Sequence, residues 1–598
     1  MPAKFDVHPL EERLLALGEA SKSNRRARAS HTSKNTFSQC VEVLWTSHNL
    51  DISPGMMEIL NTLQPAKRVR DQLADIDGGL LVNRQPSVFR HIERGLLTNP
   101  HKPAAIFMHQ SRNYLERYKC FDADFDADKD GNIQHDGEAD CLKMTYTQLH
   151  VAGLRFAKGL IGLKIQPGAK LLCMVENGGE YALLLWAGVI ARLAHSPIDP
   201  AVLEPEKYSE LQCYLEILKP KVVVVPSTSH IDAVERAANQ SGIVIEHGIF
   251  LEQDDKKNMR KRWKPFSEVM DHGATSDISE CDKILNSARC DDADRISSIM
   301  FTSGTSAGRP KGCPLSVASQ THALESQAWL INKDNCARVL QQAHNSRAIG
   351  LLHALLTWQA GGALVLPTGS SFSLGHTVDA ILHQKVTFVA LSPALVHTIG
   401  HELLSRGAKM GDWDHVQTIQ IGGDAVTKEV LEKCAALFPR AQVVVNHGMS
   451  EGAGSFIWPF HNKPVNKIPF FAGTISPVGV VARGVRVVVW NSRRGAAARR
   501  GQPGELLVCS TSLIQGYLGG KQNDNEVFCQ DRQNRRWMKT GDIALIDQDG
   551  LVYILGRSKH AINRGGFAIM PAVVESCIEK LTGAQVSLES RLIGLKSR

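Results

Sequence analysis

An α/β fold of layered subdomains, with a β-rich subdomain towards the carboxyl end, is predicted for this 598-residue chain by three observations. From about Ser87 onward, helical apolar patterns alternate with short β-branched runs, the pattern of α/β layers. Several of those runs are continuously apolar, as buried strands are. From Val485 the text changes to strand-rich segments separated by Gly-Pro turns.

The elements follow in order. Residues 1–88 combine a polar, basic, Ser-rich stretch (Glu19 to Thr36) with short apolar patches and read as an extension, part disordered and part helical appendage. Leu149 to Leu160 has helical periodicity, and Lys221 to Pro226 (KVVVVP) reads as a buried strand. Ile381 to Lys385 gives way to the apolar run Val386 to Leu391, and Ala441 to Val445 is a further buried strand. Ala348 to Pro367 is the most apolar stretch. His353, Gln359 and the Gly361-Gly362 pair interrupt it, so it reads as helix, turn and strand rather than a membrane span. Arg486 to Trp490, Gly504 to Cys509 and Leu551 to Leu555 are the strands of the late β-rich part.

Composition bounds the function classes. Hydrophobic residues make up 43% and charged residues 22%, the balance of a soluble globular protein. A net charge of +7 over 68 basic and 61 acidic residues is too small a surplus for a nucleic-acid binder. The basic runs Lys22 to Arg28 and Arg493 to Arg500 read as solvated tail or turn, and no nucleic acid partner is expected. Thirteen cysteines without a regular framework, no signal-peptide pattern and a Leu-Lys-Ser-Arg ending that is not a peroxisomal address together predict a cytoplasmic protein. An acidic insertion at 118–142 holds Asp126, Asp128, Asp130, Gly131 and Ile133 at calcium-loop spacing. Its twelfth position is Gly137, with Glu138 one residue late, which favours a solvated hairpin over a calcium site.

The strongest chemical signal follows Ile296 to Phe301. This apolar run leads into Thr302-Ser303-Gly304-Thr305-Ser306-Ala307-Gly308-Arg309-Pro310-Lys311-Gly312. Backbone amides at the glycines, hydroxyls and one lysine suit phosphate, and a Gly-Ser-rich surface loop is the alternative. No Ser or Thr follows Lys311, so it is not the GxxxxGK[ST] loop.

Here the sequence resembles the adenylate-forming (AMP-binding) superfamily, whose signature is TSGTTGxPKG. It is nearest in character to acyl- and aryl-CoA ligases of fungal secondary metabolism. Further matches follow in the family's order, from about Ser87 to Glu575. Met144 to Leu160, Pro167-Gly168 and Asn177 are similar to the opening helix and strand of the large domain. Ile421-Gly422-Gly423-Asp424-Ala425-Val426 resembles the segment that passes adenine and acyl group, where glycines let a base lie against backbone. Asn446-His447-Gly448-Met449-Ser450-Glu451 resembles YGxTE. By that match His447 replaces the stacking Tyr, Ser450 touches the α-phosphate and Glu451 holds Mg²⁺. Gly504-Glu505-Leu506, Gly516-Tyr517 and Lys539-Thr540-Gly541-Asp542 match later motifs, with Asp542 gripping the ribose hydroxyls. Arg557 contacts ribose, and Lys559 takes the hinge position. His344 resembles the residue that gates the acyl pocket, a satisfied core histidine being its alternative.

The resemblance implies ATP and Mg²⁺ as cofactors, a small-molecule carboxylic acid as substrate, and CoA or a phosphopantetheine thiol as acceptor. It divides the chain into residues 1–88, a large domain at 89–556 and an incomplete small domain at 557–598. The family's late lysine has no counterpart, since Lys580 and Lys596 stand in other contexts. A missing transition-state charge lowers the expected rate by roughly 10²–10³. Val339 to Pro367 has no Asp or Glu to pair a substrate ammonium, which favours an acyl or aryl acid over an amino acid. The alternatives are an adenylation module that loads a carrier protein and a truncated nucleotide-binding protein without activity.

Overall fold

The computed structural model describes residues 72–83, 85–118, 140–254, 261–274, 278–302, 309–369, 372–560, 562–564, 567–569 and 571. Among these, three seven-stranded sheets carry the architecture. The first runs Lys311–Ser316, Ile296–Thr302, Ala194–Pro197, Lys170–Cys173, Val222–Ser227, His247–Glu252, Trp263–Pro265, and is parallel except at the Lys311–Ser316 edge. The second runs Gln442–Val445, Thr418–Ile421, Phe388–Leu391, Arg338–Leu340, Ala363–Leu366, Pro103–Phe107, Leu142–Thr145, with the last strand antiparallel. The third is antiparallel and is built on Val485–Asn491, Gly504–Ser510 and the long strand Arg536–Ile546. The α/β layering and the late β-rich subdomain are therefore both present.

Local chemistry explains where elements begin. Thr145 opens the helix Tyr146–Gly162 with a capping box: its hydroxyl accepts from Gln148 N at 3.1 Å while Gln148 Oε1 accepts from Thr145 N at 2.8 Å. The strand at Val222–Ser227 is buried along its valines, as an apolar run in a covered parallel sheet must be. The apolar stretch in the middle of the chain is the helix Ala348–Ala360, the Gly361-Gly362 turn and the strand Ala363–Leu366. No helix among the described residues is long and apolar enough to cross a membrane.

The extension expected at 1–88 needs correction at its end. Asp75–Asp77 is a strand paired antiparallel with Val485–Asn491, and Arg486 donates to both Asp75 carboxylate oxygens at 2.8 Å. Residues near 75 therefore belong to the third sheet, more than four hundred positions away in sequence. Residues 1–71, the acidic insertion with its calcium-loop spacing, and Lys580 and Lys596 lie outside the described residues. At the other end, Val552–Arg557 pairs with Arg536–Ile546 and leads through the turn at Ser558–His560 to a small hairpin, Ile562–Arg564 with Phe567–Ile569.

Candidate active site

The three sheets point their loops into one cleft of about 1430 Å³. Thr302 ends one strand and Lys311 begins its antiparallel partner, with the two residues in register across the mouth. Ser303, Gly304, Thr305, Ser306 and Gly308 lie between them, outside the described residues.

The second sheet supplies the adjoining wall. Thr418–Ile421 and Gln442–Val445 end side by side, so the segments after them, Gly422-Gly423 and Asn446 to Glu451, cross the same wall. A Cβ at Gly422 would stand 2.3 Å from the Asn446 carbonyl oxygen, and Gly423 has φ +91°. The glycines are demanded by the close approach of these two segments as much as by any ligand. Asp424 turns outward and accepts from Ala425 N at 2.8 Å, and neither residue lines the cleft.

The third sheet brings charge. Asp542 is buried, and its two oxygens meet His447 Nε2 and Arg557 Nε, each at 3.1 Å. Burial would raise this carboxyl, but the His447 hydrogen bond and the Arg557 guanidinium beside it outweigh burial and hold the acid below its ordinary range. Arg557 also donates to Thr540 O at 2.8 Å. His447 is not among the residues lining the cleft, and its ring centroid lies 5.6 Å from that of Phe456. Sequence matching assigned it the stacking position; the structure makes it the partner of Asp542. Lys559 follows in the turn Ser558–His560 and lines the cleft.

Glu451 is tied to the chain by Tyr517, whose hydroxyl donates to Oε1 at 2.6 Å. The Lys311 ammonium lies 5.1 Å from the centre of the Tyr517 ring. Burial, and then the neighbouring Glu451 carboxylate, push the Tyr517 phenol far up, so it stays a donor at any working pH. Gly516-Tyr517 was legible only as a motif; this contact gives Tyr517 a task. Ser450 and Gly448 line the same wall.

His344 is buried and lines the cleft. Its Nδ1 accepts from Ser346 N at 3.2 Å, so the proton of the neutral ring sits on Nε2, which is buried without a partner in a residue that lines the cleft. Burial first, with Arg347 adding, lowers its pKa, while Asp199 and the Val175 backbone oppose. Asp199 also lines the cleft, so a carboxylate reaches this wall from outside Val339 to Pro367; its Oδ1 is engaged by Ala201 N at 3.0 Å. The cleft thus gathers a carboxylate paired with His447 and Arg557, a lysine and a second carboxylate near Tyr517, and the buried imidazole of His344.

The chain is 42% identical, over 86% of its length and 86% of the relative's, to an acyl-CoA ligase of Pestalotiopsis microspora. It is 24% identical to a 4-coumarate-CoA ligase of Petroselinum crispum, covering 75% of this chain and 78% of that one. Its fold matches ATP-bound MatB from Rhodopseudomonas palustris with a TM-score of 0.61 at 20% identity, covering 83% of each chain. A long-chain-fatty-acid-CoA ligase from Archaeoglobus fulgidus matches equally at 0.61, with 17% identity and coverage of 85% of this chain and 89% of that one. With residues 130–518 matched by the family model for AMP-binding enzymes and these relatives spanning most of its length, the chain belongs to the AMP-binding enzyme family.

Proposed function

We propose that the chain activates an acyl or aryl carboxylic acid with ATP and transfers the acyl group to the thiol of CoA. The observation that carries this reading is the set of groups that line one cleft: Asp542 with Arg557, Lys311, Glu451 held by Tyr517, and His344. A nucleotide laid along that cleft has ribose at Asp542 and phosphates at Lys311 and Ser450. The acid's carboxylate then lies beside His344, which can hydrogen-bond one of its oxygens.

In the first step a carboxylate oxygen bonds to the α-phosphorus as the bridging bond to the β-phosphate breaks, releasing pyrophosphate. In the second a thiolate sulfur bonds to the acyl carbon and AMP leaves with the electron pair of the broken acyl–oxygen bond. The chain's contribution is placement and neutralisation of charge. Glu451 is the carboxylate suited to Mg²⁺; no group of three or more His, Cys, Asp or Glu among the described residues could hold a metal, so phosphates and water would complete its shell.

We assign the large domain to the chain from the Asp75–Asp77 strand, which pairs with the third sheet, to Arg557, which pairs with Asp542 in that sheet. CoA is favoured over a carrier protein by the 42% identical relative, which is named an acyl-CoA ligase. A cytosolic setting fits the described cysteines, all free thiols.

The test is acid-dependent pyrophosphate release by the purified chain, with hydroxylamine as trap, across fatty, aryl and amino acids. Release with a fatty or aryl acid, and a CoA thioester when CoA is added, is expected. Release with amino acids alone would overturn the substrate class. ATP binding without release from any acid would make the chain a nucleotide-binding protein.

A further inference from the structure

The acyl side of the cleft carries two polar side chains that the activation chemistry does not use. His353 lies in the helix Ala348–Ala360 and Gln420 in the strand Thr418–Ile421; they are 3% and 5% exposed, and both line the cleft. His353 Nε2 and Gln420 Oε1 are each buried without a hydrogen-bond partner. Gln420 stands close enough to favour a protonated ring, yet the pair does not complete a hydrogen bond of good geometry. Burial nevertheless keeps the ring neutral, its pKa lowered to about 4.

Gln341 Oε1, Asn446 Oδ1 and His344 Nε2, which also line the cleft, are buried without partners too, while other amides of the wall are anchored. Gln320 donates to Ser298 Oγ at 2.6 Å, and Gln342 donates to Ala390 O at 3.2 Å. Those side chains are anchored by the protein, whereas His353 and Gln420 are left open. Buried polar atoms are nearly always paired, so an unpaired couple on a ligand cleft is best completed by the ligand. Position agrees. Gln420 shares its strand face with Gly422, two residues on and roughly 6.6 Å away at about 3.3 Å per residue. His353 sits four residues, about 6 Å, further along its helix than Ile349, which is exposed at the cleft.

We propose that His353 and Gln420 form a subsite for a hydroxyl, alcoholic or phenolic, carried by the acid at a distance from its carboxylate. A hydroxyl both donates and accepts through a single small atom, so it can pair Gln420 Oε1 and His353 Nε2 together and in either orientation of the amide. A ketone leaves Oε1 unpaired, and an ammonium would be buried without a carboxylate in this pair. The proposal rests on the acid-activating reading above.

The test uses matched acids on the full chain: decanoic acid against its ω-hydroxy counterpart, and 3-phenylpropanoic acid against its para-hydroxy counterpart. Affinity is read by calorimetry, and pyrophosphate release is followed in parallel. In at least one pair the hydroxy acid should bind about tenfold more tightly or better, and turn over with kcat/KM raised in proportion. Gln420→Met and His353→Phe should each erase or invert that preference while leaving ATP affinity unchanged. Equal or tighter binding of both unsubstituted acids overturns the subsite, as does a preference that survives both substitutions. Selective binding without pyrophosphate release would leave the subsite standing and sink the activation reading, whereas release without selectivity does the reverse. If a variant does not fold, the comparison of acids on the unaltered chain still decides.

Discussion

The two ends of the cleft are built on opposite terms. At the nucleotide end Asp542 is already paired on both oxygens, with His447 and Arg557, and its acid is held below the usual range. At the acyl end His353 and Gln420 are buried, uncharged and short of partners. A site that pre-pairs its charges is preorganised for a ligand of fixed chemistry and asks that ligand only to share contacts. A site that leaves neutral polar atoms unpaired makes its selectivity depend on what the ligand brings.

The contrast can be broken most strongly at Asp542. Asp542→Ala removes the acceptor proposed for ribose and frees Arg557 and His447; with charged hydrogen bonds at about 1.5–3 kcal/mol each, kcat/KM for ATP should fall by at least roughly 10²-fold. Acid affinity should stay put, and an unchanged ATP constant by calorimetry would show that Asp542 serves structure alone. Next in size, Glu451→Gln keeps the shape but removes the charge, and pyrophosphate release should drop by about 10²-fold with a flattened response to added Mg²⁺. Retention of the unaltered cation titration would exclude Glu451 from the cation's shell. Tyr517→Phe is milder. It deletes only the 2.6 Å bond to Glu451, so about a tenfold rise in the Mg²⁺ concentration for half-maximal rate is expected, with the KM for acid unmoved. A fall in kcat at saturating Mg²⁺, with no shift in that midpoint, would contradict a positioning role.

What was legible in the sequence divides along the same line. Local signals carried the fold: KVVVVP is a strand by its own composition, and the Thr145–Gln148 pair announces a helix start. The backbone of the cleft wall was legible too, because a glycine forced by close backbone approach, Gly422, marks where two strand ends meet. The strand Asp75–Asp77 was not, since DID has poor strand propensity and is held only by its distant partner strand and the Arg486 pairing. Nor was the pair at 353 and 420. His353 read as one polar interruption of an apolar helix, and Gln420 as one residue of a buried strand. Their meaning arises only where helix and strand meet at the cleft. His447 was legible as a motif position but not as the partner of Asp542, because that contact joins residues 95 apart.

The smallest expected effect concerns the neutrality of the acyl end. His353 has a folded pKa of about 4 against an ordinary 6.5, with burial as the cause. A histidine depressed on folding contributes fully above its unfolded pKa, and that contribution is lost as pH falls towards the folded value, because the unfolded chain takes up the proton first. Between pH 8 and pH 6 the loss from this one ring is roughly 0.8 kcal/mol, following from about 1.4 kcal/mol per pKa unit. His91 and His150, also lowered to about 4 by burial, add the same sign, so the whole chain should lose stability over this interval. Urea unfolding of the unaltered chain and of His353→Phe at the two pH values separates the share due to His353. A variant that loses as much between pH 8 and pH 6 as the parent would mean that the ring at 353 is already charged or reached by water, and the acyl end would then resemble the nucleotide end after all.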